Sequence, residues 1–313
     1  MTSTSTSAST STSASSFQPL ETVDQLLAAA RREGLELVAD TATLDTMGLD
    51  FLAVHARDAE GTTWIVRSPR RADVVTAAQT EARVLALVRR SLPFAVPDWR
   101  IHAADVIAYP RLDGTPAVTL DTGSPVWNFL DPAAPSALFV EDMARALVAL
   151  QSIDPEGAAS AGVPVRTMTE ERELIAAALV ATREVLSPPE TSWARWQRWL
   201  ADDSMWPFHV AVSHGDLHPG HWLLSPDTHL VGVLDWTEAK LGDPSVDFAM
   251  FHMCFGKGPL EQLVSAFAQA GGRTWPRMVD HAIERSAVFP VLGAEWALRT
   301  GNTAVLEQVR AQL

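Results

Sequence analysis

The chain has 313 residues, of which 47% are hydrophobic and 20% charged, so it is long enough for two domains with substantial cores. Its formal net charge of −14 argues against a general nucleic-acid or membrane-surface binder, and it requires basic groups or a metal wherever a phosphate binds. The one cysteine, Cys254, excludes an intramolecular disulfide and is typical of a reducing compartment, so we expect a cytoplasmic protein.

The N-terminal segment differs in composition from the rest of the chain. Residues 1–16 are almost wholly Ser and Thr, with neither the charges nor the hydrophobic core of a targeting sequence. We expect a disordered tail over residues 1–18. No apolar run in the sequence approaches the roughly 18 residues of a membrane span.

An N-terminal α+β lobe is predicted over residues 19–109. Thr22 and Gln25 indicate a capping box at the start of a helix that ends at Gly34. Further predicted elements are strands over 35–42, 48–56 and 62–67, a helix over 72–90, and a hairpin over 99–109. A run of strands before the first long helix is typical of an α+β domain.

The segment 109–114 is a predicted linker, because its Pro110 and Gly114 interrupt regular structure. We assign residues 110–313 to a mostly helical C-terminal lobe that carries the catalytic and substrate-binding groups. Its predicted elements include a helix over 136–151 and a helix capped by Thr167 with Glu170. A further helix has Trp193, Trp196 and Trp199 as a packing face, and residues 222–224 and 230–234 form a predicted hairpin. Together the lobes predict a bilobal α+β fold with its ligands between the lobes.

The densest group of chemical side chains comprises His214, Asp216, His218 and His221, with Asp235 at the end of a later apolar run. Phosphoryl transfer requires a carboxylate near the attacking hydroxyl, a metal, and cations that hold the nucleotide. Asp216 can be that carboxylate, while His221 and Asp235 can bind the metal. Zinc also accepts imidazole ligands, so a zinc-dependent hydrolase is an alternative for the same cluster.

These residues lie in motifs that resemble a known family. His214-Gly215-Asp216, His221 and Asp235-Trp236 resemble the catalytic and metal loops of the aminoglycoside-phosphotransferase-like antibiotic kinases, which have the bilobal protein-kinase fold. The order of the other motifs resembles the macrolide 2′-phosphotransferases. These motifs are Gly48-Leu49-Asp50-Phe51, Trp64-Ile65-Val66-Arg67-Ser68-Pro69-Arg70-Arg71, Phe94-Ala95-Val96-Pro97-Asp98-Trp99, Ala108-Tyr109-Pro110, Asp235-Trp236-Thr237-Glu238-Ala239 and Gly242-Asp243-Pro244.

The resemblance implies roles in the C-terminal lobe. Asp216 matches the catalytic base that binds the acceptor hydroxyl, and His221 and Asp235 match the positions that bind Mg²⁺. Glu238 is a candidate contact for the amino sugar of the substrate. Of the two aspartates that follow, Asp243 and Asp247, one is expected to cap the next helix.

It also implies a nucleotide site in the N-terminal lobe. Gly48 lies in the loop expected to cover the phosphates, and Arg67 matches the strand cation that contacts them. Glu81 is its expected ion-pair partner. Ile107 and Tyr109 match the hinge, where backbone groups bond the purine.

Two positions depart from the wider family. His221 stands where Asn is usual, although Mg²⁺ prefers oxygen ligands. Arg67 stands where Lys is usual, and it binds phosphate as a planar fork rather than as a point charge. The macrolide kinases share both features, so the departures favour that subgroup.

The resemblance implies transfer of the γ-phosphate of GTP, or of ATP, to the 2′-hydroxyl of the amino sugar of macrolides, which inactivates them. Basic and acidic side chains balance over residues 287–313, which favours an apolar acceptor over the polycationic aminoglycosides. An aminoglycoside, choline or homoserine kinase is the nearest alternative. We expect a monomer that binds a macrolide and a purine nucleotide, with no nucleic-acid or membrane partner.

Overall fold

The computed structural model describes residues 17–46 and 48–311. They form two compact units, one of residues 17–76 with 99–110 and one of residues 77–98 with 111–311. The part of the expected tail over residues 1–16 lies outside the described residues. Residues 77–98 pack with the second unit because Ala95 bonds across to Val231 and Val233, its backbone amide and carbonyl each making a 3.0 Å hydrogen bond.

The first unit contains a five-stranded antiparallel sheet in the order β1-β2-β3-β5-β4. Its elements are α1 (Val23–Arg32), β1 (Val38–Asp45), β2 (Phe51–Arg57), β3 (Thr63–Pro69), the start of α2 (Ala72–Val88), β4 (Ile101–His102) and β5 (Ile107–Pro110). The predicted capping box of α1 is confirmed, with reciprocal bonds between Thr22 and Gln25. The first strand begins three residues later than predicted, at Val38.

The two faces of this sheet have different surroundings. Side chains alternate along a strand, and those of Leu52, Val54 and Val66 are buried with Leu26 of α1 in one hydrophobic core. The opposite face carries Arg67, which lies in register with Ala53 on β2 and with Ile107 on β5. The alternation therefore separates the core of this unit from the face that bears its candidate nucleotide residues.

The second unit is mainly helical. Its elements after α2 are β6 (Thr115–Pro116), β7 (Val118–Asp121), β8 (Ser124–Trp127), α3 (Ala137–Gln151), α4 (Pro155–Ser160), α5 (Met168–Leu186), α6 (Glu190–Ala201), β9 (Ala211–Ser213), β10 (Trp222–Leu224), β11 (Leu230–Val233), β12 (Lys240–Gly242), α7 (Ser245–Phe255), α8 (Lys257–Gln269), α9 (Met278–Ala287), α10 (Phe289–Thr300) and α11 (Thr303–Arg310). The predicted hairpin of β10 and β11 is confirmed as an antiparallel pair.

Within residues 17–46 and 48–311, no helix has the length and apolar character needed to cross a membrane.

A buried charge network joins three helices of this unit to the start of α7. The guanidinium of Arg285 donates to Glu171 on α5 and, at 3.0 Å, to Asp243. His281 donates from Nε2 to Asp243 at 2.9 Å, while its Nδ1 accepts from Trp199 on α6 at 3.0 Å. Burial raises the pKa of Asp243, but the His281 contact and the Arg285 charge more than offset burial and hold that pKa below its ordinary value.

We expect Arg285→Met to destabilise the protein by about 3–5 kcal/mol, because the buried carboxylates of Glu171 and Asp243 lose the buried cation that they share. The free energy of unfolding in urea measures this loss. The matched control is Arg299→Met, which removes an exposed pair with Glu295 and changes stability by no more than about 0.5 kcal/mol. A loss below about 1 kcal/mol for Arg285→Met would contradict the importance assigned to the network.

Candidate active site

The loop between β9 and β10 carries the cluster that the sequence singles out. Gly215 has a φ of +87°, and a Cβ at this position would lie 2.3 Å from the carbonyl oxygen of Glu238. Only glycine fits both the backbone conformation and this close approach. The segment that follows β11, which includes Asp235 and Glu238, therefore packs backbone to backbone against the loop that carries Asp216.

Asp247 fixes this loop from the first turn of α7. Its carboxylate accepts hydrogen bonds from the backbone N–H groups of His214, at 2.9 Å, and of Gly215, at 3.0 Å. Burial raises the pKa of Asp247 to about 6, and the two backbone hydrogen bonds offset only part of that effect. Its neighbour Asp243 accepts from the N–H of Ser245 at 2.9 Å, but the N-cap of α7 is Pro244, without a side-chain cap, so the expected capping of this helix by one of the two aspartates is wrong.

His214 is a structural residue of the loop. It is fully buried, and burial lowers its pKa to about 3, so the ring is neutral at physiological pH. Nε2 donates to the carbonyl of Leu234 at 2.9 Å, and Nδ1 accepts from the N–H of Asp216 at 3.3 Å. The ring thus ties the residue that precedes Asp235 to the backbone of Asp216.

Asp216, His221 and Asp235 lie together, as the sequence predicts. Nδ1 of His221 donates to the backbone carbonyl of Asp216 at 3.0 Å, and its Nε2 lies 3.8 Å from Oδ2 of Asp235. The side chains of Asp216 and Asp235 are 41% and 46% exposed, so a ligand can reach both. Asp235 has a φ of +57°, which is uncommon for a residue other than glycine and typical of functional sites.

The group fits a divalent cation. Nδ1 of His221 donates a hydrogen bond to the backbone carbonyl of Asp216. The lone pair of Nε2 is therefore available on the side of the ring that faces Asp235. Asp216, His218 and His221 also bring potential ligand atoms within 4.8 Å of one another. His218 therefore belongs to the same cluster. Its Nδ1 accepts from the N–H of Gly220 at 3.0 Å.

Two other predicted residues lie in this unit. Glu81 is fully buried, and it accepts a 3.4 Å hydrogen bond from the hydroxyl of Thr237, two residues after Asp235. Glu238 is exposed, and its carbonyl faces Gly215. The expected ion pair of Glu81 with Arg67 and the expected contact of Glu238 with an amino sugar stay predictions.

The remaining predicted residues belong to the first unit. Arg67, Ile107 and Tyr109 occupy one face of the sheet, because Arg67 pairs with Ile107 and Ile65 pairs with Tyr109. Gly48 precedes β2, where a Cβ would lie 2.7 Å from the carbonyl oxygen of Phe51. The carbonyl of Gly48 accepts from Arg70 at 3.0 Å, so that arginine holds the β1–β2 loop. The roles of these residues toward a nucleotide stay predictions.

We expect Asp247→Asn to lower both the turnover number and the stability. An amide has one acceptor oxygen, so one of the two backbone N–H groups would meet the amide NH₂, at a cost of about 1–3 kcal/mol. Asp227→Asn is the matched control, since Asp227 is exposed in the turn between β10 and β11. Steady-state kinetics with urea unfolding measures both effects, and an unchanged turnover number in Asp247→Asn would contradict the role of this carboxylate.

Comparison with known proteins identifies the fold. Residues 41–281 match APH, the phosphotransferase enzyme family. The crystal structure of the apoenzyme of macrolide 2′-phosphotransferase MphH from Brachybacterium faecium is 35% identical, with a TM-score of 0.83, covering 92% of this chain and 97% of that chain. A solved macrolide 2′-phosphotransferase type I is 39% identical, also with a TM-score of 0.83, covering 95% and 99%.

The uncharacterized protein YcbJ of Bacillus subtilis (strain 168) is 40% identical over 280 residues, which cover 89% of this chain and 91% of YcbJ. These matches confirm the predicted kinase-like fold, and they confirm that the chain is a phosphotransferase. The alternative of a zinc-dependent hydrolase is set aside by the same matches. Because residues 41–281 match the family and three relatives at 35–40% identity cover 89–95% of the chain, this chain belongs to the APH phosphotransferase enzyme family.

Proposed function

We propose that this protein phosphorylates macrolides at the 2′-hydroxyl of their amino sugar, with GTP as the donor and ATP as a second donor. The observation that carries the proposal is the similarity to two macrolide 2′-phosphotransferases, at 35% and 39% identity over 92% and 95% of this chain. We place the reaction in the cytoplasm, where GTP and ATP are available.

In the proposed reaction the acceptor hydroxyl attacks the γ-phosphorus. The bond from that phosphorus to the bridging oxygen breaks, and the nucleoside diphosphate leaves. Asp216 orients the hydroxyl and accepts its proton, and the loop bonds from Asp247 and His214 keep the carboxylate in place. His221 and Asp235 would hold Mg²⁺, which when bound offsets the charge of the phosphates.

The charge of the site supports a cationic acceptor. Asp216, Asp235 and Glu238 are all partly or fully exposed, and they lie on two segments in backbone contact. The amino sugar of a macrolide carries a dimethylammonium group beside its 2′-hydroxyl, so carboxylates near the base favour its binding. We assign that contact to Glu238.

We expect Asp216→Ala to lower the turnover number by about 10²–10⁴-fold and to leave nucleotide affinity unchanged, because it removes the base but no nucleotide contact. Asp227→Ala is the matched control and retains full turnover. Turnover is followed by the mass increase of one phosphoryl group on the acceptor, and near-normal turnover in Asp216→Ala would refute the base assignment.

The same mass assay tests the substrate. Each of GTP and ATP is paired with a panel of macrolides and aminoglycosides, and phosphorylation of macrolides with GTP is the expected result. Phosphorylation of aminoglycosides alone would replace the proposed acceptor and leave the family assignment intact.

A further inference from the structure

We infer that Phe51 and Trp99 form an aromatic clamp that fixes the plane of the Arg67 guanidinium for the phosphates of the donor nucleotide. The inference rests on the proposed function, because it assumes that Arg67 contacts the donor. It makes Phe51 and Trp99 positioning residues, which act through Arg67.

The geometry of the clamp comes from the sheet of the first unit. Arg67 is only 9% exposed, and it projects from β3 on the face opposite the α1 core. Its guanidinium carbon Cζ lies over the ring of Phe51, 4.2 Å from the centroid, and over the ring of Trp99, 4.7 Å from the centroid. The ring of Tyr109 is more distant, at 5.7 Å. All three distances are within the roughly 6 Å over which an aromatic face attracts a cation.

The position of Trp99 indicates that the face of its ring, rather than its indole N–H, makes the stabilising contact. Its Nε1 is buried and has no hydrogen-bond partner among the residues that the structure describes. A buried N–H without a partner is unfavourable, so contacts of the ring must offset its cost. Besides Arg67, the ring contacts His102 edge-on, with centroids 5.0 Å apart. Burial and the charge of Arg67 lower the pKa of His102.

The clamp accounts for an arginine where most of the family has lysine. Aromatic rings contact the flat faces of a guanidinium, and its N–H groups then remain in the plane for phosphate oxygens. A lysine ammonium has no plane that stacked rings can orient. Held by the two rings, the Arg67 guanidinium would therefore present its N–H groups to phosphate oxygens in one fixed plane.

The test is the dissociation constant of GTP, measured by titration calorimetry without an acceptor. We expect Trp99→Leu and Phe51→Leu each to raise it about tenfold. Trp99→Phe retains a ring face and stays within about threefold of the wild type. Trp64→Leu is the matched control from the same sheet. Its indole donates to Asp58 and packs against the core on the face of the sheet opposite Arg67, so GTP affinity is unchanged.

A double-mutant cycle separates positioning from a structural effect. Arg67→Lys alone raises the dissociation constant, and adding Trp99→Leu to it has little further effect, since the clamp acts only through the guanidinium. Equal effects of Trp99→Leu in both backgrounds would overturn the inference, as would an unchanged affinity in Trp99→Leu. If the leucine variant does not fold, the same cycle with Phe51→Leu gives the answer.

The calorimetric test is independent of the acceptor. If the wild-type protein binds GTP but phosphorylates no macrolide, the proposed acceptor is refuted. The double-mutant cycle on GTP affinity still tests the clamp in that case. A wild-type protein that binds neither GTP nor ATP contradicts both the clamp and the proposed function.

Discussion

Two hydrogen bonds from the backbone of His214 and Gly215 to the carboxylate of Asp247 hold the loop on which the proposed chemistry depends. Both carboxylate oxygens are engaged, and the group is only 2% exposed, so water cannot take over their role. The helix that carries Asp247 begins beside Asp243, whose charge is offset by Arg285 from α9. The position of the loop therefore depends on charges contributed by helices far along the chain.

Such buried charges are seldom the most stable solution, because desolvation costs as much as pairing returns. Their advantage in this site is positional. The loop is fixed by the Asp247 carboxylate, by the neutral ring of His214 and by the close approach of Gly215 to Glu238, and each of these tolerates little displacement. A catalytic carboxylate has to be held within a fraction of an ångström, and a rigid surrounding shell serves that need.

The sequence predicted well what depends on neighbouring residues. The capping boxes at Thr22 and Thr167 and the hairpin of β10 and β11 were confirmed, since each is determined by side chains a few positions apart. The hairpin of β7 and β8 was not predicted, because its short strands are exposed and lack hydrophobic alternation. Contacts between residues distant in the sequence could not be predicted from the sequence pattern either. Asp247 was expected at most to cap a helix, and Glu81 has the polarity of a surface residue but is fully buried.

The position of the transferred phosphate is the most specific part of the proposed function. Phosphorus–proton correlation NMR of the purified product, made from GTP and a macrolide, tests that claim directly. A correlation of phosphorus with the proton on C2′ of the amino sugar is the predicted result. A phosphate on any other hydroxyl, or a product without phosphorus, would contradict the account.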